Sequence, residues 1–181
     1  MKSSDLNGKT ILLDSDVVRH FLRGGAFPVL SKLFAENLYL LDVVENELKR
    51  SKSLRTEVEN LLNFKLVKSY IFPTDDAAIV SEFSKLTSGG MGIGESACLA
   101  VARHRQHVVA SSNFKDIRVY CEQHKLMYIG TMDILMIALE EKKMEKGDCD
   151  AFIGEIIRLG GKLPCQTIER YYQLNGKSMA T

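Results

Sequence analysis

The chain has 181 residues, which fits one domain and lets it bury roughly two-thirds of the surface of the unfolded chain. Apolar residues make up 45% of it and charged residues 26%, as in ordinary soluble globular proteins. Its apolar runs are shorter than the ~18 residues of a membrane-spanning helix, and no apolar signal-peptide segment follows Met1. With 24 basic and 23 acidic residues, the overall charge neither favours nor excludes a nucleic-acid partner.

The pattern of apolar residues predicts strands that alternate with helices. The predicted strands span residues 9–14, 38–41, part of 64–72, 107–110 and 126–129. The predicted helices span residues 17–22, 26–35, 43–50, 54–62, a segment capped by Thr74 with Asp75 and Asp76 in its first turn, 95–105, 114–124, a segment capped by Thr131 that reaches about residue 144, 148–159 and 166–174. This alternation predicts an α/β domain with a mostly parallel sheet that is covered by helices on both faces.

The four cysteines, Cys98, Cys121, Cys149 and Cys165, are far apart and form no CxxC pair. Three of them lie among apolar residues with helical spacing. We therefore predict reduced, buried thiols in a cytoplasmic protein.

Four carboxylates lie where a predicted strand or loop leads into a helix. Asp14 ends the first strand, Glu47 lies in the helix after the second strand, Glu95 follows the glycine-rich segment 88–94, and Asp116 follows the fourth strand. The carboxyl ends of parallel strands converge on one crevice, so these acids are expected to meet there. Crowded carboxylates repel one another and hold raised pKa values until a cation binds. Hard ions such as Mg²⁺ or Mn²⁺ take such oxygen ligands, which favours metal-dependent phosphodiester chemistry.

Each acid also has a purely structural interpretation. The Asp14 side chain can cap the following helix, and Glu47 can be a solvated helix charge. Glu95 can stabilise the positive end of its helix, and Asn113 can cap a helix with Asp116 at its third position. Only the combination of the four acids, each at a predicted junction, favours a functional site.

Two basic clusters lie near these acids, and each can be either solvated surface or a contact for a phosphate backbone. The first ends the helix 95–105 and the second follows Glu47. Their members are Arg103, His104, Arg105 and His107 in the first cluster, and Lys49, Arg50, Lys52 and Arg55 in the second.

These stretches together resemble the PIN-domain nucleases, including the VapC-like toxins of toxin–antitoxin pairs. The resemblance covers residues 9 to 144. Its motifs are ILLDSDVV with Asp14 and Ser15, VVENEL with Glu47, GIGESACLAVA with Glu95, ASSNFKDI with Asn113 and Asp116, and YIGTMDIL with Gly130 and Thr131.

The resemblance implies a three-layer α/β/α sandwich with a mostly parallel sheet and a pocket that holds Mg²⁺ or Mn²⁺. It implies a PIN-like nuclease domain at residues 1–146 and a C-terminal helical extension at 147–181 packed on the same domain. The implied catalytic residues are Asp14, Glu47, Glu95 and Asp116, of which Asp14, Glu95 and Asp116 bind metal, with Ser15 and Asn113 as accessory polar residues.

Two positions depart from the family pattern. Asp16 stands at a position where the residue type varies within the family. Its side chain can be an extra metal ligand or a helix cap. Ser112 replaces an arginine that is frequent in the closest toxins.

The resulting hypothesis is a metal-dependent endoribonuclease that hydrolyses RNA phosphodiester bonds, with metal lowering the pKa of the attacking water. The toxin resemblance implies an antitoxin protein as a second partner and allows a homodimer. The proposed docking groove for that partner is bordered by apolar residues of the early helices, which can instead pack in the domain's own core. These residues are Phe21, Leu22, Phe27, Leu30 and Phe34.

Two rival functions start from the same residues. In a haloacid-dehalogenase-type phosphatase, Asp14 is the nucleophile, Asp16 is the general acid, and the segment 109–111 imitates the second motif. The only Asp–Asp pair, residues 75–76, then precedes Ser111, which is the wrong order, and two acids of the quartet have no role. The other rival is a PIN fold that binds RNA or protein without turnover, against which the intact quartet argues.

Overall fold

Five parallel strands form the centre of the molecule. We describe the fold from a computed structural model, which covers residues 3–176 apart from the side chains of Ser3 and Ala35. The strands are β1 (Ile11–Leu13), β2 (Leu38–Leu41), β3 (Lys68–Tyr70), β4 (Val108–Ala110) and β5 (Tyr128–Ile129). They form one sheet in the order β3-β2-β1-β4-β5. Ile11 of β1 is in register with Leu38 on one side and Val108 on the other, so β1 is the central strand.

Helices follow and separate the strands, as the sequence predicts. They are α1 (Ser15–Arg23), α2 (Phe27–Phe34), α3 (Asp42–Lys49), α4 (Lys52–Asn63), α5 (Ala77–Ser88), α6 (Ile93–Arg105), α7 (Phe114–His124), α8 (Thr131–Glu140), α9 (Lys146–Arg158) and α10 (Ile168–Leu174). Two short 3-10 turns, Ser3–Leu6 and Ala35–Asn37, complete the described chain. Because β1 and β4 are buried at every residue, helices must cover both faces of the sheet. The predicted three-layer α/β/α sandwich is confirmed.

The predicted start of α5 is wrong. Asp76, not Thr74, is the N-cap, and its Oδ1 accepts the Ala78 and Ile79 amides at 3.1 and 3.3 Å. Residues 74 and 75 lie instead in a turn that is closed by a hydrogen bond from the Asp76 amide to the Pro73 carbonyl. The carboxylate of Asp76 therefore compensates the free amides at the helix end, which the hydroxyl of Thr74 was expected to do.

The predicted cap of α8 is also wrong. Gly130 is the N-cap residue, and the Asp133 carboxylate accepts its amide at 2.9 Å. Thr131 is the first helical residue, and its hydroxyl points to distant side chains. The helix ends at Glu140, where the sequence predicted an end near residue 144.

The C-terminal helices pack on the same core as the rest of the domain. The Phe152 ring of α9 lies 5.1 Å from the Phe21 ring of α1, and a Cβ at Gly24 would lie 2.3 Å from Phe152. The Tyr171 hydroxyl of α10 donates to the Asp133 carboxylate at 2.9 Å. The predicted packing of this extension agrees with these contacts, and the domain boundary at residue 146 stays a prediction.

The proposed docking groove on the early helices is wrong. Four of its apolar residues are at most 6% exposed, and Leu22 packs partly buried against them. They are Phe21, Phe27, Leu30 and Phe34. These side chains belong to the buried hydrophobic core of the domain, so they are not available to a docking partner.

All four cysteines are buried and free, as the sequence predicts. Their cytoplasmic setting stays a prediction. Within residues 3–176, no helix has both the length and the apolar character to cross a bilayer.

Candidate functional site

A cavity of about 540 Å³ opens where β1 and β4 end. All six site residues predicted from the sequence line it. The complete lining is Asp14, Ser15, Glu47, Gly89, Gly90, Met91, Gly92, Glu95, Asn113, Lys115 and Asp116. The fold thus brings together residues from four separate segments, and their catalytic and metal-binding roles stay predictions.

Asp14 serves the fold and lines the cavity at the same time. Its amide donates to the Ala110 carbonyl at 2.9 Å, which extends the pairing of β1 with β4. As the N-cap of α1, its Oδ1 accepts the Ser15 amide at 2.7 Å. The side chain is buried, so this carboxylate has a fixed position at the floor of the cavity.

Glu95 lies in the first turn of α6 and is only 7% exposed. Its Oε1 atom is buried and accepts no hydrogen bond from any described residue. Leaving a buried carboxylate oxygen unpaired is unfavourable, and more so than for a neutral group. This oxygen is therefore chemically suited to a cation.

Gly94 allows the close approach of three helices at the cavity. A Cβ at this residue would lie 2.8 Å from Glu47 Oε2, 3.3 Å from Val44 Cγ2 and 3.6 Å from Asp14 Oδ1. The carboxylates of α3 and of the β1 end thus converge on the backbone of α6. The absence of a side chain at Gly94 keeps this space open.

Glu47 lies on α3 at the mouth of the cavity and is partly exposed. Its Oε1 lies 3.6 Å from an Arg19 guanidinium nitrogen of α1. A pair with this exposure contributes little to stability. Its effect is to fix the orientation of the Glu47 carboxylate at the mouth.

Asn113 stands at the N-cap position of α7, but its side chain makes no capping bond. Its Nδ2 donates instead to Asp116 Oδ2 at 2.7 Å. The alternative interpretation, in which the Asn113 side chain caps the helix, is therefore wrong. The amide fixes the carboxylate on the exposed rim, because the ionised acceptor forms the stronger hydrogen bond.

Burial and crowding raise the pKa of the two inner carboxyls. Burial holds the pKa of Asp14 well above its usual range, and the charges of Asp16 and Glu95 add to this. Burial also raises the pKa of Glu95 to about 7, helped by the charges of Asp116 and Asp16. A bound cation would offset both causes, so proton and cation binding compete here.

Asp16 does not line the cavity. Its Oδ1 accepts the Val17 amide at 2.6 Å, and its Oδ2 accepts the Ser112 amide at 2.7 Å. Of the two interpretations that the sequence left open, this geometry favours a backbone-binding role. Both carboxylate oxygens accept backbone amides, which disfavours the general-acid role that the phosphatase rival needs.

Three of the eight residues in the predicted basic clusters pair with acids. Arg103 binds Glu82 at 2.5 Å, and Arg105 binds Asp76 at 2.9 Å. In the second cluster, Lys49 binds Glu45 at 2.6 Å. These ion pairs make the three paired side chains less available to bind phosphate.

Lys115 is a cation of the cavity lining that the sequence reasoning missed. The available signal was its position between Asn113 and Asp116 at the start of a helix after a strand. Met91 of the lining was not singled out as a site residue either.

The donor set fits a hard divalent cation in its chemistry. Asp14, Glu95 and Asp116 offer carboxylate oxygens, and Glu95 Oε1 has no other described partner. Among the side chains described in residues 4–176, no three His, Cys, Asp or Glu are already grouped closely enough to bind one ion. Mg²⁺ usually keeps several waters and needs only one or two carboxylates, so the acids fit this ion without a closed cage.

The fold and the cavity define a three-layer α/β/α protein with an acid-lined pocket at the carboxyl ends of its strands. Among solved structures, the chain shares its fold with a chain of VapBC-1 from nontypeable Haemophilus influenzae. The two are 14% identical with a TM-score of 0.50, and the match covers 67% of this chain and 98% of that chain. A likeness at this identity extends to the fold alone. Neither the family models nor the curated proteins that were searched match this sequence.

Proposed function

We propose that this protein is a Mg²⁺- or Mn²⁺-dependent endoribonuclease. The observation that supports the proposal is the convergence of four carboxylates from separate segments on one cavity. Two of them are buried and have raised pKa values. Such a site attracts a cation electrostatically. Acids in a cavity whose pKa values are strongly shifted are candidates for functional residues.

The side chains that line the cavity have different roles in the proposed reaction. Asp14, Glu95 and Asp116 would hold the ion, which when bound lowers the pKa of a water and neutralises charge on the leaving oxygen. The Ser15 amide and the Asn113 side chain keep two of these carboxylates in place. Glu47, oriented by Arg19, lies at the mouth, where it can accept a hydrogen bond from the attacking water.

The assay for the proposal compares two substrates. Purified protein is incubated with single-stranded RNA or with p-nitrophenyl phosphate, in Mn²⁺ and in EDTA. The proposal expects RNA cleavage in Mn²⁺ alone. Hydrolysis of p-nitrophenyl phosphate with intact RNA would favour the phosphatase, and binding of RNA without cleavage would favour the non-catalytic module.

Lys115 is expected to bind the phosphate backbone of the substrate, since it is the basic residue of a cavity lining whose four acids repel phosphate. Lys115→Ala should raise the KM for single-stranded RNA several-fold with a smaller change in kcat. Loss of one phosphate contact should also lower the slope of log affinity against log salt by about 1. Lys32→Ala removes an exposed lysine of α2 and serves as the control. Unchanged KM and salt dependence in Lys115→Ala would exclude this role.

We further propose that the protein acts as a toxin with an antitoxin partner. The shared fold with a VapBC-1 chain supports this proposal. Expression in a heterologous bacterium should arrest growth, and co-expression of the neighbouring reading frame should relieve the arrest. Asp14→Asn should be harmless in the same host. Harmless expression of a protein that cleaves RNA in vitro would remove the toxin role and leave the nuclease proposal standing.

A further inference from the structure

The short segment that follows β4 contacts the acidic site at two places. The Asp14 amide donates to the Ala110 carbonyl at 2.9 Å, and the Asn113 amide donates to Ser111 Oγ at 3.2 Å. Asn113 Nδ2 donates to Asp116 Oδ2 at 2.7 Å. The placement of this segment therefore fixes the Asp116 carboxylate relative to the strand end that carries Asp14.

Ser112, the middle residue of the segment, is fixed from outside the cavity, which it does not line. Its amide donates to Asp16 Oδ2 at 2.7 Å. Its Oγ accepts the Thr131 amide at 3.1 Å and lies 2.6 Å from Thr131 Oγ1. Two elements far apart in sequence, α1 and α8, thus bind the same residue.

His20 completes this arrangement from α1. It is 7% exposed, and its Nδ1 lies 2.9 Å from Thr131 Oγ1. Burial lowers the pKa of His20 to about 4, helped by the charge of Arg23, so the ring is neutral near pH 7 and one nitrogen can accept. A Cβ at Gly161 would lie 3.2 Å from its Nε2, so the turn after α9 closes behind the ring.

One direction of donation satisfies the three side chains together. The Thr131 amide donates to the Ser112 oxygen, the Ser112 hydroxyl donates to Thr131 Oγ1, and the Thr131 hydroxyl donates to His20 Nδ1. Each hydroxyl is then used as donor and acceptor, and the ring proton lies on Nε2. Satisfied networks in a low-dielectric interior hold their members rigidly.

We propose that Thr131, acting through Ser112 and backed by His20, is a positioning residue of the acidic site. It sets the segment that carries Asn113 and thereby the orientation of the Asp116 carboxylate. This inference rests on the proposed nuclease function for its kinetic consequences. Its structural consequence, an ordered segment between β4 and α7, holds independently of that function.

The kinetic test uses Thr131→Val, which keeps the shape of the side chain and removes the hydroxyl. With saturating Mn²⁺ and single-stranded RNA, kcat should fall by about ten- to a hundredfold, as expected when a reacting group is misplaced by about 1 Å. KM should change much less, because no substrate contact is removed. Thr131→Ser restores the hydroxyl and should recover most of the loss. Thr56→Val, at an exposed residue of α4, is the control for the same chemical change.

Ser112→Ala removes the other hydroxyl of the pair and is the variant to measure if Thr131→Val folds poorly. If the two act through one hydrogen bond, the double variant should be no slower than the slower single variant. Wild-type kcat in both single variants would overturn the proposal. An equal loss in Thr131→Ser and Thr131→Val would also overturn it, because packing of the methyl group would then be responsible.

Amide hydrogen exchange tests the same inference without any assay of activity. In Thr131→Val, exchange should accelerate at Ser112 and Asn113, with protection unchanged in β1 and α4. Unchanged protection at Ser112 would overturn the positioning role even if the protein is a nuclease. Faster exchange there in a protein that leaves RNA intact would support the positioning role and reject the nuclease proposal.

Discussion

Asp14→Asn is expected to abolish metal-dependent RNA cleavage while leaving the fold intact. We expect kcat/KM to fall by at least about a thousandfold, which corresponds to about 4 kcal/mol of transition-state stabilisation. The reason is that Asn keeps the shape of the side chain but removes the charge that would hold the ion at the floor of the cavity. Glu95→Gln and Asp116→Asn should produce losses of similar size, since each removes one proposed oxygen ligand.

Two controls separate this loss from a general effect of lost charge. Asp75→Asn makes the same change at an exposed turn residue and should leave cleavage unchanged. Asp16→Asn should retain measurable activity, because Asp16 binds backbone amides and does not line the cavity. Circular dichroism checks the fold of every variant. Full cleavage by Asp14→Asn would reject this site, and a complete loss in Asp16→Asn alone would favour the phosphatase.

The second large effect is expected on stability. Mn²⁺ at a hundredfold excess over its Kd should raise the free energy of unfolding by about 2.7 kcal/mol, because it binds only the folded site. Asp14→Asn should abolish this gain and make the metal-free protein more stable than wild type. The variant removes a buried charge, and its Oδ1 can still accept the Ser15 amide. Thermal melts in EDTA and in Mn²⁺ measure both effects. An equal response to Mn²⁺ in wild type and variant would contradict a shared site.

The same charges predict how stability depends on pH without metal. The folded-state pKa of Glu95 is raised from 4.5 to about 7, and that of Asp14 is also raised. Between pH 4.5 and about pH 7, the unfolded and folded pKa values of Glu95, the folded protein binds more protons than the unfolded chain. The free energy of unfolding therefore decreases as pH rises. Each unit of raised pKa contributes about 1.4 kcal/mol to this loss.

Thermal melts in EDTA from pH 5 to pH 8 measure this dependence. Wild type should lose stability over this range, and Glu95→Gln should lose less of it. Glu59→Gln, at an exposed residue of α4, is the matched control and should follow wild type. A dependence in Glu95→Gln as steep as in wild type would show that Glu95 is not the group responsible.

The sequence by itself determined the order of the elements, the parallel sheet and the meeting of six site residues. Buried strands and amphipathic helices are local patterns of apolar residues, and Phe114–His124 begins and ends where that pattern predicts. Parallel strands place their carboxyl ends at one edge. Residues after β1 and after β4 therefore had to converge, whatever the details of packing.

Only the tertiary structure decided which polar group binds which. Thr131 has the sequence position of a helix cap, yet its hydroxyl lies 2.9 Å from His20, which is 111 residues away in the chain. Likewise, four apolar residues proposed for partner docking are buried, because their helices pack against other helices of the domain. Local spacing specifies which face of an element is apolar. Which buried polar groups become hydrogen-bond partners depends on how separate elements pack. An unpaired polar group inside the protein is unfavourable, so it pairs with a group that the packing brings within hydrogen-bonding distance.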